Sequence, residues 1–207
     1  MPNTLYLLDI SSFIFRAYYA IRPLSSPSGE PTNAVFGVLQ MLINFFDEAK
    51  PQHVAVAFDS KEPTVRKLKY EQYKANRSAP PEDLRPQFDR IEELLMKVMK
   101  LPSFRRGSIE ADDWIATLTR EWIGRSPDNR VVIVSGDKDL MQLVTDRVTL
   151  WDTMNQKHYD PAAVEAKFGV APERIRDYLA FIGDSSDNIP GLPGVGPKTA
   201  LQWLASV

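Results

Sequence analysis

The sequence predicts an α/β fold, in which a mainly parallel sheet is covered by helices on both faces. Short, continuously apolar runs at Thr4–Leu8, His53–Phe58 and Val131–Ser135 are typical of strands buried on both faces, and Val148–Trp151 is a fourth candidate. Segments with helical periodicity lie between these runs, and such alternation of strands and helices favours parallel pairing. The sequence contains no internal repeat that would indicate a different architecture.

Helical segments fill the intervals between the strands. Ser11 and Ser12 can cap the first helix, and Thr32 or Asn33 the second, because these side chains accept hydrogen bonds from free backbone N–H groups. Apolar residues at helical spacing continue in later segments. The expected helices are Phe13–Ile21, Ala34–Ala49, Leu84–Met99, Glu110–Ile123, Pro161–Phe168 and Glu173–Ile182.

The composition is that of a globular protein, since 43% of the 207 residues are apolar and 25% are charged. The absence of cysteine excludes disulfides and thiolate metal sites. The N-terminus lacks the basic segment of a signal peptide, and no apolar run approaches the ~20 residues of a membrane helix. We therefore expect a cytoplasmic protein without a membrane partner.

The alternation of strands and helices ends near residue 160. This change predicts a sheet-containing domain at residues 1–160 and a helical region at residues 161–207. A last helix begins at Pro197 and has only started when the chain stops. We therefore expect one part of a longer protein, with the helical region incomplete at its C-terminal end.

Nine acidic residues are candidates for a common site. They lie at or just past the ends of the first three strands, at the start of one helix, and in a Gly/Ser/Asn turn near residue 185. The carboxyl ends of neighbouring parallel strands meet at one edge of a sheet, where α/β proteins bind ligands. Arg16 and Tyr19 could reach the same edge, although helix packing explains Tyr19 nearly as well. The nine candidates are Asp9, Asp59, Glu110, Asp112, Asp113, Asp137, Asp139, Asp184 and Asp187.

Clustered and ionised carboxylates on this scale require cations, because they repel one another at low dielectric. Oxygen ligands without histidine or cysteine favour Mg²⁺ or Mn²⁺, and the number of acids is sufficient for two ions. Two such ions suit in-line displacement at phosphorus. For each acid taken alone, the alternative is a helix cap, a turn or a favourable contact with a helix dipole.

Residues Lys61–Arg77 form a basic and aromatic segment, with six basic residues against two acidic ones in a chain of net charge −2. Cations interleaved with Tyr70 and Tyr73 suit unpaired nucleic acid, because cations neutralise phosphates and aromatic rings stack on bases. If the segment is helical, both tyrosines share a face with Lys74 and Arg77. The alternative is a solvated helix whose lysine stems cover the sheet.

A glycine-rich turn follows the last acidic residues. Gly191, Gly194 and Gly196 alternate with prolines and lead into a helix that begins at Pro197. Unshielded N–H groups in such a turn, and at the helix N-terminus after it, can hold a phosphate. Carboxylates beside this turn would repel the phosphate unless a metal lies between them. A helix–loop–helix corner with ordinary aspartate caps is the alternative.

Five motifs together resemble the 5′ nuclease (flap endonuclease) superfamily, and most closely the 5′→3′ exonuclease domain of bacterial DNA polymerase I. They run in family order over almost the whole chain, which makes the combination far more specific than any single motif. The motifs are LLDISSFIFRAYYA at Leu7–Ala20, AVAFDSKEPTVRKLKYEQYKANR at Ala55–Arg77, IEADDWIA at Ile109–Ala116, VSGDKDLMQLV at Val134–Val144 and GDSSDNIPGLPGVGPKTA at Gly183–Ala200.

The resemblance implies a PIN-like α/β sheet with a helical arch at about residues 61–83 and a C-terminal helix-three-turn-helix module, which is truncated in this chain. It implies a Mg²⁺- or Mn²⁺-dependent 5′→3′ exonuclease and flap endonuclease that acts on DNA with a 5′ flap, nick or 5′ end, in primer removal and repair. Two further expectations are K⁺ at the glycine-rich turn and a polymerase domain after this one in the natural protein. Duplex affinity is expected to suffer from the truncated module.

The resemblance also implies roles for individual residues. The nine acids match the family's metal ligands, and Asp9 and Asp139 among them are assigned to catalysis. Lys74 and Arg77 match the arch cations that act on the scissile phosphate. The candidates for contact with nucleic acid, from the residues and the resemblance together, are Arg16, Tyr19, Arg66, Tyr73, Lys74, Arg77, Gly191, Gly194, Val195, Gly196, Lys198 and Thr199.

Two other functions are compatible with parts of the sequence. The first is a module that binds DNA junctions without turnover; the complete set of acids argues against it, because pure binding would favour their replacement. The second is a PIN-type ribonuclease. The helix-three-turn-helix residues argue against this function, because they suit a DNA duplex.

Overall fold

The computed structural model describes residues 3–206, and residues 1, 2 and 207 of the predicted domain ranges lie outside it. A six-stranded sheet with the order β3-β2-β1-β4-β5-β6 forms its centre. Strands β1 to β5 pair in parallel and β6 is antiparallel, so the prediction of a mainly parallel sheet is confirmed. The strands are β1 (Thr4–Asp9), β2 (His53–Ala57), β3 (Ser103–Phe104), β4 (Arg130–Val134), β5 (Val148–Asp152) and β6 (Lys157–Tyr159).

The expected helices are present with shifted ends, and one short α-helix at Val65–Lys69 is added. The helix expected at Leu84–Met99 starts with α4 and continues as a π-helical turn at Leu94–Val98, and short 3₁₀ turns occur at Asp139–Leu143 and Pro172–Arg174. Within residues 3–206, no helix has both the length and the apolar character needed to cross a membrane. The helices are α1 (Ile10–Ala20), α2 (Asn33–Ala49), α3 (Val65–Lys69), α4 (Arg85–Glu93), α5 (Ala111–Arg125), α6 (Pro161–Phe168), α7 (Ile175–Ile182) and α8 (Pro197–Ala205).

The helices cover both faces of the sheet, as expected. One face packs against α1, α2 and α4, where Phe13, Phe45 and Ile91 are fully buried. The other face packs against α5 and the C-terminal helices, and Ile115 and Ile175 belong to that core. Helices α6 to α8 therefore share a hydrophobic core with the sheet. The division of the chain at residue 160 stays a prediction.

The first helix is capped differently from the prediction. Its helical turn begins at Ile10, and the side chain of Asp9 accepts a hydrogen bond of 3.1 Å from the backbone N–H of Ser12. Capping by Ser11 or Ser12 is therefore wrong, because both residues already lie inside the helix. The change places Asp9 at the junction of β1 and α1, where its carboxylate is buried.

The basic segment is mostly non-helical. Helix α3 ends at Lys69, and residues 71–76 form consecutive turns in which Lys74 has a left-handed backbone with φ of 53°. The arrangement of Tyr70, Tyr73, Lys74 and Arg77 on one helical face is therefore wrong. The turns instead direct Tyr73 inward and Lys74 and Arg77 toward the carboxyl end of the sheet.

A small antiparallel pair, β7 (Gly183–Asp184) and β8 (Ile189–Pro190), joins α7 to the glycine-rich turn. The pair depends on two glycines in close contact. A Cβ atom on Gly191 would lie 2.3 Å from the carbonyl carbon of Ile182, and Gly183 has a left-handed φ of 79°. Side chains at these positions would push the strands apart, so the glycines fix the place of the acidic turn between β7 and β8.

Candidate metal centre and nucleic-acid interface

Three adjacent strands bring acidic side chains to one edge of the sheet. Strands β2, β1 and β4 are neighbours, and Asp9, Asp59 and Asp137 lie at or just beyond their carboxyl ends. Asp112, in the first turn of α5, joins them. All four line a cavity of about 300 Å³. The sequence-predicted convergence of these acids is therefore seen in the structure.

The electrostatics of this cavity disfavour four charged carboxylates without added cations. Burial, with the charges of Asp9, Asp137 and Asp59, raises the pKa of Asp112 to about 8. Burial likewise raises the pKa of Asp9 to about 6, against the hydrogen bonds from Ser12 N–H and the Ser135 hydroxyl. Bound divalent cations are one means by which proteins keep such groups ionised.

A second acidic group adjoins the first. One carboxylate oxygen each from Asp139, Asp184 and Asp187 lies within 4.8 Å of the other two, close enough for all three to ligate one ion. Asp139 Oδ1 is buried and has no hydrogen-bond partner among the described residues. Burial, together with the charges of Asp137 and Asp184, raises the pKa of Asp139 to about 7. A carboxylate oxygen without a partner, in an all-oxygen group, fits a hard divalent cation.

Cations of the basic segment already neutralise part of the acidic set. Arg66 donates to Glu110 Oε2 at 2.9 Å and makes two bonds to Asp113, at 2.7 and 2.8 Å. The Tyr73 hydroxyl donates to Glu110 Oε2 at 2.9 Å, and Lys74 Nζ lies 3.3 Å from Oε1. Hydrogen bonds from Arg66 lower the pKa of Asp113. The oxygens of Glu110 and Asp113 are thus occupied in this structure.

The same pairing occurs at the acidic turn. Arg77 Nη2 lies 2.7 Å from Asp187 Oδ1, and Lys74 Nζ lies 3.8 Å from Asp187 Oδ2. Lys138 Nζ lies 3.1 Å from Asp184 Oδ1. Burial acts to raise the pKa of Asp184, but the hydrogen bonds from Lys138 and from Ser186 N–H outweigh it and lower the pKa.

The nine acids therefore fall into two sets. The paired set, whose members form ion pairs with Lys or Arg, is Glu110, Asp113, Asp184 and Asp187. The unpaired set, whose members form no such ion pair within residues 3–206, is Asp9, Asp59, Asp112, Asp137 and Asp139.

The predicted nucleic-acid contacts from the first half of the chain occupy different environments. Lys74, Arg77 and Arg16 line the acidic cavity, and Tyr19 is 72% exposed. The Tyr73 ring is buried and cannot stack on a base in this arrangement, because its hydroxyl is held by Glu110. Its role in DNA contact stays a prediction and would require the turns of the basic segment to rearrange.

Some residues of the glycine-rich turn are open to solvent and others are packed. Gly194 has a left-handed φ of 77°, and no atom lies within 4 Å of a Cβ built on Gly194 or Gly196, so their backbone is open. Gly191 is packed, and Val195 contacts the core. Helix α8 begins after Gly196 without a side-chain cap, which leaves the N–H groups of Lys198 and Thr199 available to an anion.

Sequence reasoning missed three residues at this site. Ser135 donates to Asp9 Oδ2 at 2.9 Å, and Lys138 pairs with Asp184. Asp152 Oδ1 lies 3.6 Å from Arg16 Nη2 in a largely buried ion pair that holds the guanidinium at the wall of the cavity. Their position beside strand ends was the available signal: Ser135 follows β4, and Asp152 is the last residue of β5.

Comparisons with known proteins agree with this geometry. The family model of the 5′-3′ exonuclease N-terminal resolvase-like domain matches residues 4–169, and that of the 5′-3′ exonuclease C-terminal SAM fold matches residues 170–207. The flap endonuclease of bacteriophage T5, solved as a pseudo-enzyme–product complex with DNA and metal ions, has a TM-score of 0.77 at 21% identity. The match covers 98% of this chain and 75% of that one, which shows the same fold.

Two curated relatives have a higher sequence identity to this chain than that structure has. DNA polymerase I of Pseudomonas aeruginosa is 45% identical over 98% of this chain, which spans only 22% of that polymerase. The 5′-3′ exonuclease of Aquifex aeolicus is 43% identical over 98% of this chain and 69% of its own length. On the strength of the family model and of this relative, the chain belongs to the 5′-3′ exonuclease family of nucleases.

Proposed function

We propose that this chain is a 5′→3′ exonuclease and 5′-flap endonuclease that hydrolyses DNA phosphodiester bonds with two divalent ions, in primer removal and repair. The observation that carries the proposal is the unpaired set of carboxylates, because four of its five members line a cavity that Lys74 and Arg77 also line. Acids without cations of their own call for metal ions, and cations beside them suit a phosphate.

The carboxylates divide between two ions in this proposal. The first ion is assigned to Asp9, Asp59, Asp112 and Asp137, and the second to Asp139, Asp184 and Asp187. Glu110 and Asp113 would join only after exchanging their contacts with Arg66, Tyr73 and Lys74. Mg²⁺ or Mn²⁺ suits these all-oxygen donors, and when bound it supplies Lewis acidity toward the phosphodiester and acidifies water.

The cations of the chain position the substrate. Lys74 and Arg77 are held by carboxylates here, at 3.3 Å from Glu110 and 2.7 Å from Asp187. A scissile phosphodiester carries the same single negative charge as a carboxylate and also offers two acceptor oxygens, so it can replace these partners. The two side chains would then bind the phosphate oxygens where negative charge develops. Arg16, fixed by Asp152, borders the same cavity.

The glycine-rich turn and the N-terminus of α8 are assigned to the DNA backbone. Open N–H groups at Gly194, Gly196 and the first turn of α8 suit a phosphate, and K⁺ at the turn would support that contact. DNA with a 5′ flap, nick or 5′ end is the proposed partner in the cytoplasm. Because the chain spans about a fifth of its polymerase relative, a covalently attached polymerase domain is also proposed for the whole protein.

The experiment that tests this function measures cleavage of a duplex with a fluorescent 5′ flap, in Mg²⁺ and in EDTA, beside a single-stranded RNA of the same sequence. We expect Mg²⁺-dependent cutting near the flap junction and no cutting of the RNA. Asp139→Asn is the matched control, expected to bind flap DNA normally or more tightly without cutting it.

Two other outcomes would overturn the proposal. Flap DNA that is bound but never cut, at any Mg²⁺ or Mn²⁺ concentration, would favour a junction-binding module. Preferential cutting of the RNA would favour a ribonuclease. Loss of DNA binding in Asp139→Asn, in step with loss of cleavage, would refute the assignment of Asp139 as a metal ligand.

A further inference from the structure

Two segments far apart in sequence are joined by reciprocal hydrogen bonds. The side-chain amide of Asn76 donates to the carbonyl of Ser185 at 2.7 Å, and that of Asn188 donates in the opposite direction to the carbonyl of Gln72, also at 2.7 Å. Between them, the backbone N–H of Lys74 donates to the carbonyl of Asp187 at 2.9 Å. We call this set of contacts the asparagine clasp.

Arg77 reinforces the clasp from the same segment. Its Nε donates to the carbonyl of Ser186 at 3.2 Å, and its Nη2 lies 2.7 Å from Asp187 Oδ1. The clasp thus joins the turns of the basic segment to the acidic turn between β7 and β8. Neither asparagine lines the acidic cavity.

The backbone on both sides of the clasp is strained. Lys74 has φ of 53° and Asn188 has φ of 56°. Both values lie in the left-handed backbone region, which residues other than Gly and Asn rarely adopt. Asparagine tolerates this region, so Asn188 combines the required backbone with an amide donor. Lysine has no such tolerance, and its conformation persists only where neighbouring contacts determine it.

We infer that Asn76 and Asn188 are positioning residues that hold Lys74 and Arg77 in register with the carboxylates of Asp184 and Asp187. Long cationic side chains have many rotamers, and a fixed backbone on either side of Lys74 reduces the arrangements in which its ammonium group meets the cavity. The inference rests on the proposed function, because it assigns the clasp to the cations proposed to bind the scissile phosphate.

The structure supplies a close match for a control. Gln156 also has a left-handed backbone, with φ of 50°, and its side-chain amide also donates to a backbone carbonyl, that of Thr153, at 2.9 Å. Gln156 lies in the β5–β6 turn, and its side-chain amide bonds to no residue of the clasp. Gln156→Gly therefore removes the same kind of contact at the same kind of backbone position without touching the clasp.

The test uses Asn188→Gly, which keeps the left-handed backbone and removes the donor, and Asn76→Ala, with single-turnover cleavage of the flap duplex in Mg²⁺. We expect each variant to lower the rate of the chemical step by about tenfold, with the Kd for flap DNA changed by less than about twofold, as for groups that orient a catalytic residue. Asn76→Gln, which keeps an amide donor, should recover part of the rate. Gln156→Gly should cut at the wild-type rate.

A second readout does not depend on cleavage. Hydrogen exchange of the Lys74 amide, measured without metal or DNA, should be slow in the wild type and in Gln156→Gly and should speed up about tenfold in Asn188→Gly. Fast exchange with an unchanged rate of cleavage would overturn a positioning role. If the Lys74 amide exchanged at the same rate in the wild type and in the asparagine variants, the asparagines would not hold the Lys74 backbone in place.

The two proposals fail in different ways. A wild-type chain that cuts no flap would refute the proposed nuclease, and the exchange of the Lys74 amide would still decide whether the clasp holds that segment. A nuclease whose asparagine variants lose DNA affinity and rate equally would make Asn76 and Asn188 DNA contacts, which overturns the clasp and leaves the proposed function standing.

Discussion

The unpaired and the paired acids differ although they come from the same kinds of sequence position. Asp112 and Asp113 are neighbours in the first turn of α5, yet burial and nearby carboxylates raise the pKa of Asp112 to about 8, whereas hydrogen bonds from Arg66 lower the pKa of Asp113. Successive helical residues point about 100° apart. One carboxylate therefore enters the cavity and the other meets the basic segment.

We expect this difference to give the two sets distinct roles. No Lys or Arg within residues 3–206 forms an ion pair with the unpaired set, which makes this set the more direct candidate for divalent ions. The paired set is neutralised by the chain itself, through Arg66, Lys74, Arg77 and Lys138. Any ion or phosphate that enters this region has to exchange partners with those side chains. Variants of each set should consequently behave differently.

The largest effect is expected for Asp112→Asn, a change within the unpaired set. Cleavage should fall by at least about 10³-fold, because the cavity loses an anionic ligand that no other group replaces. The metal-free protein should become more stable at neutral pH, because the amide is neutral without the proton that the carboxyl of Asp112, with its pKa of about 8, has to take up on folding. Single-turnover cleavage and thermal unfolding in EDTA measure the two effects. A variant that is both inactive and less stable would place Asp112 among structural acids.

Lys74→Ala is expected to have the next largest effect, since it removes a cation that pairs with Glu110 and Asp187 and also lines the acidic cavity. The rate of the chemical step should fall about 10²-fold while the Kd for flap DNA changes little, because the ammonium group acts where charge develops on the phosphate. Single-turnover cleavage measures the rate of the chemical step, and fluorescence anisotropy measures the Kd for flap DNA. An equal loss in rate and affinity would reduce Lys74 to a backbone contact.

The convergence of acids could be predicted because it follows from backbone rules. Apolar runs of five or six residues mark β1, β2 and β4, and parallel strands place the residues after them at one edge. That rule alone was sufficient to predict the convergence of Asp9, Asp59 and Asp137. The strands β3 and β6, of two and three residues, carry no comparable pattern, so the sequence did not predict them.

The pairing of acids with cations could not be predicted in the same way. It depends on which side chain reaches which carboxylate across the fold: Arg66 is 47 residues from Asp113, and Arg77 is 110 from Asp187. The environment of Tyr73 could not be predicted for the same reason. Its setting among cations suggested base stacking, whereas non-helical turns bury its ring and bring its hydroxyl to Glu110. The asparagine clasp likewise depends on hydrogen bonds between segments 109 and 116 residues apart, which the sequence does not indicate.

A smaller effect is expected in the pH dependence of stability, which tests the difference between the unpaired and the paired acids. The pKa of Asp112 is about 8 in the folded protein against 3.8 for an unperturbed carboxyl, so between these values the folded state holds a proton that the unfolded state has lost. Stability without metal should therefore fall as the pH rises from about 4 to 8. Bound Mg²⁺ requires the ionised acid, so it should stabilise the protein more at pH 8 than at pH 6.

Thermal unfolding with and without Mg²⁺ at the two pH values measures this difference, which we expect to be at least about 1.4 kcal/mol, the equivalent of one pKa unit. Asp112→Asn is the control and should reduce the pH dependence. An equal gain from Mg²⁺ at pH 6 and pH 8 would contradict the raised pKa of Asp112.

The smallest effect is expected for Lys138→Ala, which converts a paired acid into an unpaired one. Lys138 is partly exposed, so losing its contact with Asp184 should cost less than about 1 kcal/mol of metal-free stability. Its removal should also strengthen Mg²⁺ binding about twofold to threefold, because the ion no longer competes with the ammonium group for Asp184 Oδ1. Isothermal titration of Mg²⁺ and unfolding in EDTA measure both changes. Weaker Mg²⁺ binding in this variant would mean that Lys138 holds Asp184 in place for the ion instead of competing with it, and the paired acids would then be preorganised by their cations rather than blocked by them.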